Sequence, residues 1–375
     1  MLLGFVVTLG VAYLSGFLVA QEQAPAAPTF HRDSSWPKPL PNNWVIGMVA
    51  SLNVDARDHV WIIHRPNSVR KEALAGTKKI APPVIEFDQD GSVVQAWGGP
   101  GPGYAWMEEK LEDYPRGSPA EHGVYVDYKD NVWVTGNGDE VLKFTRNGKF
   151  LMHIGEHFKT GGSNHTRLLG NPTDVVVDPA TNEIHVADGY LNRRVIVFDA
   201  DTGKYKRHWG AYGNKPDDGP VVNYEPDKPL PQQFFIVHGI GLSKDGFVYV
   251  CDRQRDRLQV FRKNGTFVKE VVIEKNTPAG AGATLKGPLS AGVTKAGVGS
   301  VFRVGFSTDQ QQQFLYVLGS GKVHILQRND LELVGSFAAG GTHGIGSDSK
   351  GNLYTSGSTT PEKYAKGASA ARSRQ

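Results

Sequence analysis

Cysteine is nearly absent: Cys251 is the only one in 375 residues. No intrachain disulfide can form, so a disulfide-stapled scaffold and a Cys-rich zinc site are both excluded. A dominant charge is missing too. Forty-one Lys and Arg stand against 38 Asp and Glu, too even a balance for a nucleic-acid or polyanion binder. After residue 40 no stretch shows a helical period. What is abundant is glycine, 45 residues, with 22 prolines beside it. Without a collagen period, that composition means many turns and many short strands.

The one long apolar run lies at the start. Residues 2–20 carry no charge and lead into QEQAPAAPTF. This reads as an export signal or an uncleaved N-terminal anchor, although no Lys or Arg precedes the run. The expected organisation is 1–20 signal or anchor, 21–40 linker, 41–368 one folded domain and 369–375 a polar, disordered tail. A secreted or periplasmic location follows, with membrane contact only through the first segment.

From residue 40 onward the sequence repeats a unit of four alternating strands. The clearest copy is 122–155, and the others are 51–98, 172–210, 238–273, 301–337 and a short last one, 343–367. A four-stranded sheet cannot bury both faces alone, so six such units predict an all-β, six-bladed β-propeller. The last copy offers three strands, and residues 42–50 could supply the fourth and close the ring. A closed ring hides its own edges, so a monomer is expected.

Aligning the copies on the end of their first strand gives Asp55, Asp127, Asp178, Ser243, Ser307 and Asp348. Five places earlier stand Ala50, His122, Thr173, His238, Phe302 and His343. Histidine occupies alternate copies, each time followed by glycine. First strands line the channel of a propeller, so three alternate imidazoles converge on its axis as an open metal site. Imidazole suits zinc, iron, copper and nickel alike. His153, His157, His165, His185, His208 and His324 share no register and read as surface or packing residues. Cys251 reads as core, and the glycines at 98–103 lack the helix that a phosphate loop requires.

Strand parity places the turn after each second strand on the histidine face. Those turns hold Arg65, the run Asp188–Arg193 with Tyr190, and Arg253. The connections 99–121 and 211–237 emerge on the same face. Arg65, Arg193 and Arg253 near a metal suggest a carboxylate receptor.

The segments HGVYVDYKDNVWVTG, NPTDVVVDP, VADGYLNRRVIVF, HGIGLSKDGFVYVCDRQRDRLQVF and THGIGSDSKGNLY resemble the peptidyl-α-hydroxyglycine α-amidating lyases, within the wider NHL-repeat propellers. The resemblance spans most of residues 45–360. It implies zinc on His122, His238 and His343, Tyr190 as catalytic base, and Arg65 and Arg253 at the site. The reaction it implies cleaves a peptidyl-α-hydroxyglycine to a peptide amide and glyoxylate. The sequence departs from the family at two points. Leu191 stands where animal lyases carry a disulfide cysteine. Gly344 stands where the family has an Asp on a structural calcium, which puts calcium there in doubt. Two other classes stay open: a metal-dependent hydrolase or lyase on another small substrate, and a non-enzymatic propeller that only binds partners. A carboxylate-ligated calcium lactonase fits less well, because the channel register shows His.

Overall fold

Alternating apolar residues and tight turns yield strands of four to seven residues wherever the repeat is clean. The structure is a computed structural model, which describes residues 26–107, 121–220, 226–277, 299–341 and 343–367. The expected signal or anchor, the tail, and residues 108–120 and 221–225 of the two long connections lie outside the described residues. Among the described residues, helical turns are short 3-10 segments and no helix is long and apolar enough to cross a membrane.

Six four-stranded antiparallel sheets make a six-bladed propeller. The inner strands are Val49–Val54, Glu121–Val126, Pro172–Asp178, Val237–Leu242, Arg303–Phe306 and Gly344–Ser347. Each contacts the next in order, and the sixth contacts the first, so the ring is closed. Between neighbouring blades sit clusters of buried Val, Ile, Leu, Trp and Phe. One example is Trp61, Val84, Val124, Val134 and Phe144 between the first two blades.

The closing strand is Phe30–Asp33, which pairs with Glu362–Lys366 at the outer edge of blade 6. This corrects the expectation that 42–50 closes the ring and that 21–40 is only a linker. Residues Trp44–Val45 instead pair in parallel with Lys79–Ile80, inside the first-blade insertion. An outer strand is half exposed and held by backbone bonds, so FHRD carries no apolar alternation to announce it. Trp36, 5% exposed, then packs against Tyr354 of blade 6 and Phe87 of blade 1, with ring centroids 5.0 and 5.7 Å away. The incoming chain thus wedges the first and last blades together.

The aspartates used to align the repeats cap its first turn. Asp127 Oδ1 accepts the amides of Lys129 and Asn131 at 2.8 and 2.9 Å, and Oδ2 accepts Trp133 Nε1 at 2.8 Å. Asp55 does the same with Arg57, His59 and Trp61. Asp348 does so with Lys350, Asn352 and the Tyr354 hydroxyl. Trp133 is fully buried, so Asp127→Ala strands its indole N–H. The expected cost is about 1–3 kcal/mol, seen as a lower urea midpoint with an unchanged slope.

Candidate metal centre

Two histidines of the triad sit at irregularities in their strands. In blades 2 and 4 the pairing register shifts between Glu121 and Gly123 and between Val237 and Gly239, which leaves His122 and His238 as bulged residues. A bulge re-aims its side chain, here toward the axis. His343 stands just before its inner strand, its amide held by the Ser356 carbonyl at 2.7 Å.

The glycine after each histidine has a steric cause. A Cβ on Gly123 would lie 2.7 Å from the Thr173 carbonyl oxygen, and one on Gly239 would lie 2.5 Å from that of Phe302. One on Gly344 would lie 2.7 Å from the Leu52 amide. Near the axis the inner strands are too close for a side chain there.

Those same carbonyls orient the imidazoles. Nδ1–H of His122 donates to Thr173 O at 2.8 Å, that of His238 to Phe302 O at 3.0 Å, and that of His343 to Ala50 O at 2.5 Å. The acceptors are the residues in equivalent register of the intervening blades. A carbonyl only accepts, so each Nδ1 carries the proton and each Nε2 keeps its lone pair. The three rings lie 4.7 Å apart in every pair, and one nitrogen from each falls within 4.8 Å of the others. All three are buried, and His238 Nε2 has no protein partner. Burial, reinforced by neighbouring positive groups, holds all three pKa values well below the ordinary histidine value. Neutral, oriented and partly orphaned imidazoles fit a divalent transition metal.

Tyr190 stands over this triad. Its hydroxyl lies 3.1 Å from His122 Nε2 and 3.4 Å from an Arg253 guanidinium nitrogen. The turn carrying it is rigid. Gly189 is pressed so hard on blade 4 that a Cβ would lie 2.0 Å from the Val237 carbonyl oxygen. Asp188 Oδ2 accepts Asn192 Nδ2 at 2.7 Å and Arg194 Nε at 2.8 Å, while Oδ1 accepts the Gly170 amide.

Arg65 and Arg253 flank the histidines. Arg65 Nε donates to Glu121 O at 2.9 Å, beside His122, and its charge lowers the pKa of His122 and His343. Arg253 stacks on Phe302, 4.5 Å from the ring centre, and acts likewise on His238 and His343. Arg193 is placed differently. Its guanidinium donates to the Asp217 and Gly219 carbonyls at 3.0 and 2.8 Å, holding the connection before blade 4. Arg303, which the sequence did not single out, adds its charge to all three histidines.

Against known proteins, no family model matches the chain. Peptidyl-glycine alpha-amidating monooxygenase B of Xenopus laevis is 28% identical over 253 residues, 64% of this chain and 25% of its own length. Peptidyl-alpha-hydroxyglycine alpha-amidating lyase 1 of Drosophila melanogaster is 27% identical over 267 residues, 66% of this chain and 43% of its own. NHL repeat-containing protein 3 of Mus musculus is 26% identical over 250 residues, 63% of this chain and 58% of its own. Along roughly two-thirds of its length the chain is thus similar to amidating lyases and to NHL repeat-containing proteins. It spans about a quarter of the length of the amphibian monooxygenases it matches.

Two clamps of this propeller are not announced by the repeat itself. Arg194 and Arg257 are fully buried and begin their third strands. Arg257 Nε pairs with Asp252 at 2.9 Å and its other nitrogens donate to Pro231 O and Gln233 O, as Arg194 does to Ser163 O and Leu168 O. The signal was an Asp closing the second strand and an Arg opening the third, in copies three and four alone. The other carboxylate–histidine group among the described residues, Asp55, His59 and Glu86, already holds a cation: Arg146 pairs with Asp55 at 2.7 Å and with Glu86.

Buried neutral histidines make the metal-free protein acid-sensitive. Burial also lowers His64 and His185 to about 4. Below about pH 6.5 the unfolded chain takes protons that the folded one refuses, so stability falls with pH. Each of these two contributes about 2 kcal/mol of loss between pH 6.5 and 5. Burial raises Asp252 and Asp256 to about 6 and lifts Asp174 as well, which opposes this below pH 6, but they are three against the five buried histidines. Thermal midpoints of metal-free protein should fall from pH 7 to 5, and His238→Gln should make that fall shallower.

Proposed function

We propose that this chain is a metal-dependent lyase that cleaves the C–N bond of an α-hydroxyglycine-like substrate, giving an amide and glyoxylate. The observation that supports it most is the contact series from His122 Nε2 through the Tyr190 hydroxyl to Arg253, set on the edge of a three-imidazole site. The similarity to an amidating lyase along two-thirds of the chain supports it independently.

His122, His238 and His343 would hold zinc or another divalent transition metal, a Lewis acid that lowers the pKa of a bound hydroxyl. The chain supplies the rest. As its phenolate, Tyr190 accepts the substrate hydroxyl proton at Oη and passes it to the departing nitrogen. The carbon–oxygen bond becomes a carbonyl as the C–N bond breaks, and the nitrogen keeps the electron pair and gains a proton. No net oxidation occurs, and the products are amide and aldehyde acid. Arg65 and Arg253 supply positive charge for the carboxylate, which sets the hydroxyl at the triad and beside Tyr190. The apolar segment at 2–20 and its Pro/Ala-rich sequel support export from the cytoplasm.

The test begins with metal content. One transition metal per chain is expected, with loss in a His122→Ala/His238→Ala variant. Glyoxylate release from an α-hydroxyglycine peptide is then expected to fall roughly 10²–10⁴-fold in Tyr190→Phe, with metal content kept. Metal binding without any glyoxylate release would sink the lyase reading. Full activity in Tyr190→Phe would instead favour a metal-dependent hydrolase.

A further inference from the structure

Beyond the imidazoles the channel is crossed by an ion pair. Arg303 opens the inner strand of blade 5 and is 5% exposed. One terminal nitrogen pairs with the Asp174 carboxylate, and the other donates to the Thr173 carbonyl at 3.2 Å. Both partners belong to blade 3, so the side chain passes blade 4. There its Cδ lies 3.3 Å from where a Cβ on Gly239 would stand. Asp174 Oδ2 accepts the Ile240 amide of blade 4 at 3.1 Å. Blades 3, 4 and 5 are therefore tied together one residue past the level of the triad.

The Thr173 carbonyl is where this tie meets the metal site. It accepts Arg303, the Thr135 hydroxyl at 3.0 Å and His122 Nδ1–H at 2.8 Å. The His122 ring follows that carbonyl, and Arg303 and Asp174 fix it from below. Burying a charged pair here costs desolvation that an apolar plug would avoid. A planar, bidentate guanidinium adds directional control that an apolar plug lacks.

We propose that Arg303, braced by Asp174, is a positioning residue for the metal-binding triad, acting on His122 through the Thr173 carbonyl. The inference rests on the three-imidazole reading above and is independent of the substrate. Removing such an outer partner typically weakens metal binding 10–100-fold.

The test uses the full chain, stripped of metal and titrated with cobalt(II) against a chromophoric chelator. Arg303→Met should bind cobalt(II) 10–100-fold more weakly than the unaltered chain and change its visible spectrum. Arg303→Lys, which keeps the charge but not the fork, should recover only part of the affinity. Arg146→Met, which breaks a buried ion pair at the far ends of blades 1 and 2, should lower thermal stability with unchanged affinity and spectrum. If Arg303→Met does not fold, Asp174→Asn is read in its place with the same expectation. Affinity and spectrum unchanged in Arg303→Met, or tighter binding, overturn the inference while leaving the triad standing. No cobalt(II) binding by the unaltered chain overturns both.

Discussion

Six inner strands must share one narrow axis, and the contact between them governs the rest of the molecule. At one level around that axis, imidazoles and carbonyls alternate. Each imidazole donates to the carbonyl of the next blade, from His122 to Thr173, His238 to Phe302 and His343 to Ala50. These bonds tie neighbouring blades in pairs, and in the same act they turn the three Nε2 atoms inward. The glycines at 123, 239 and 344 let the strands come close enough to make them. The last bond joins blade 6 to blade 1, so the geometry of the three imidazoles depends on ring closure. Closure in turn depends on Phe30–Asp33 and Trp36 at the rim.

Buried arginines form a second frame around this one. Arg194 with Asp188, Arg257 with Asp252, and Arg303 with Asp174 each pair a guanidinium with a carboxylate and spend further N–H groups on carbonyls. Ion pairs of this kind add little net stability unless their remaining donors are satisfied. Their value here is geometric. Two of them hold the turns that carry Tyr190 and Arg253, and the third crosses the channel. The turns on the histidine face are thus held by fixed contacts, as the proposed reaction, which needs aligned groups, would require.

Strand parity was enough to put Arg65, Tyr190 and Arg253 on the histidine face, because a four-stranded blade alternates direction without exception. It could not separate an arginine aimed at the axis from one aimed at a loop. Arg193 lies three residues from Tyr190, yet it holds the Asp217 and Gly219 carbonyls. That choice depends on where residues 217–219 pass, which is a long-range fact. The outer closing strand was hidden for a related reason. Its pairing is made by backbone, so its side chains show no period.

By itself the sequence determined the repeat, the six blades and the histidines in alternate copies, since period and register are local properties that a linear reading can count. The triad's direction required the bulges at His122 and His238, which arise only when neighbouring strands pair unevenly. Arg303 required more still. It reaches residues 129 and 130 positions away, in a blade that is not its neighbour. No spacing rule links such positions; only the closed ring brings them together.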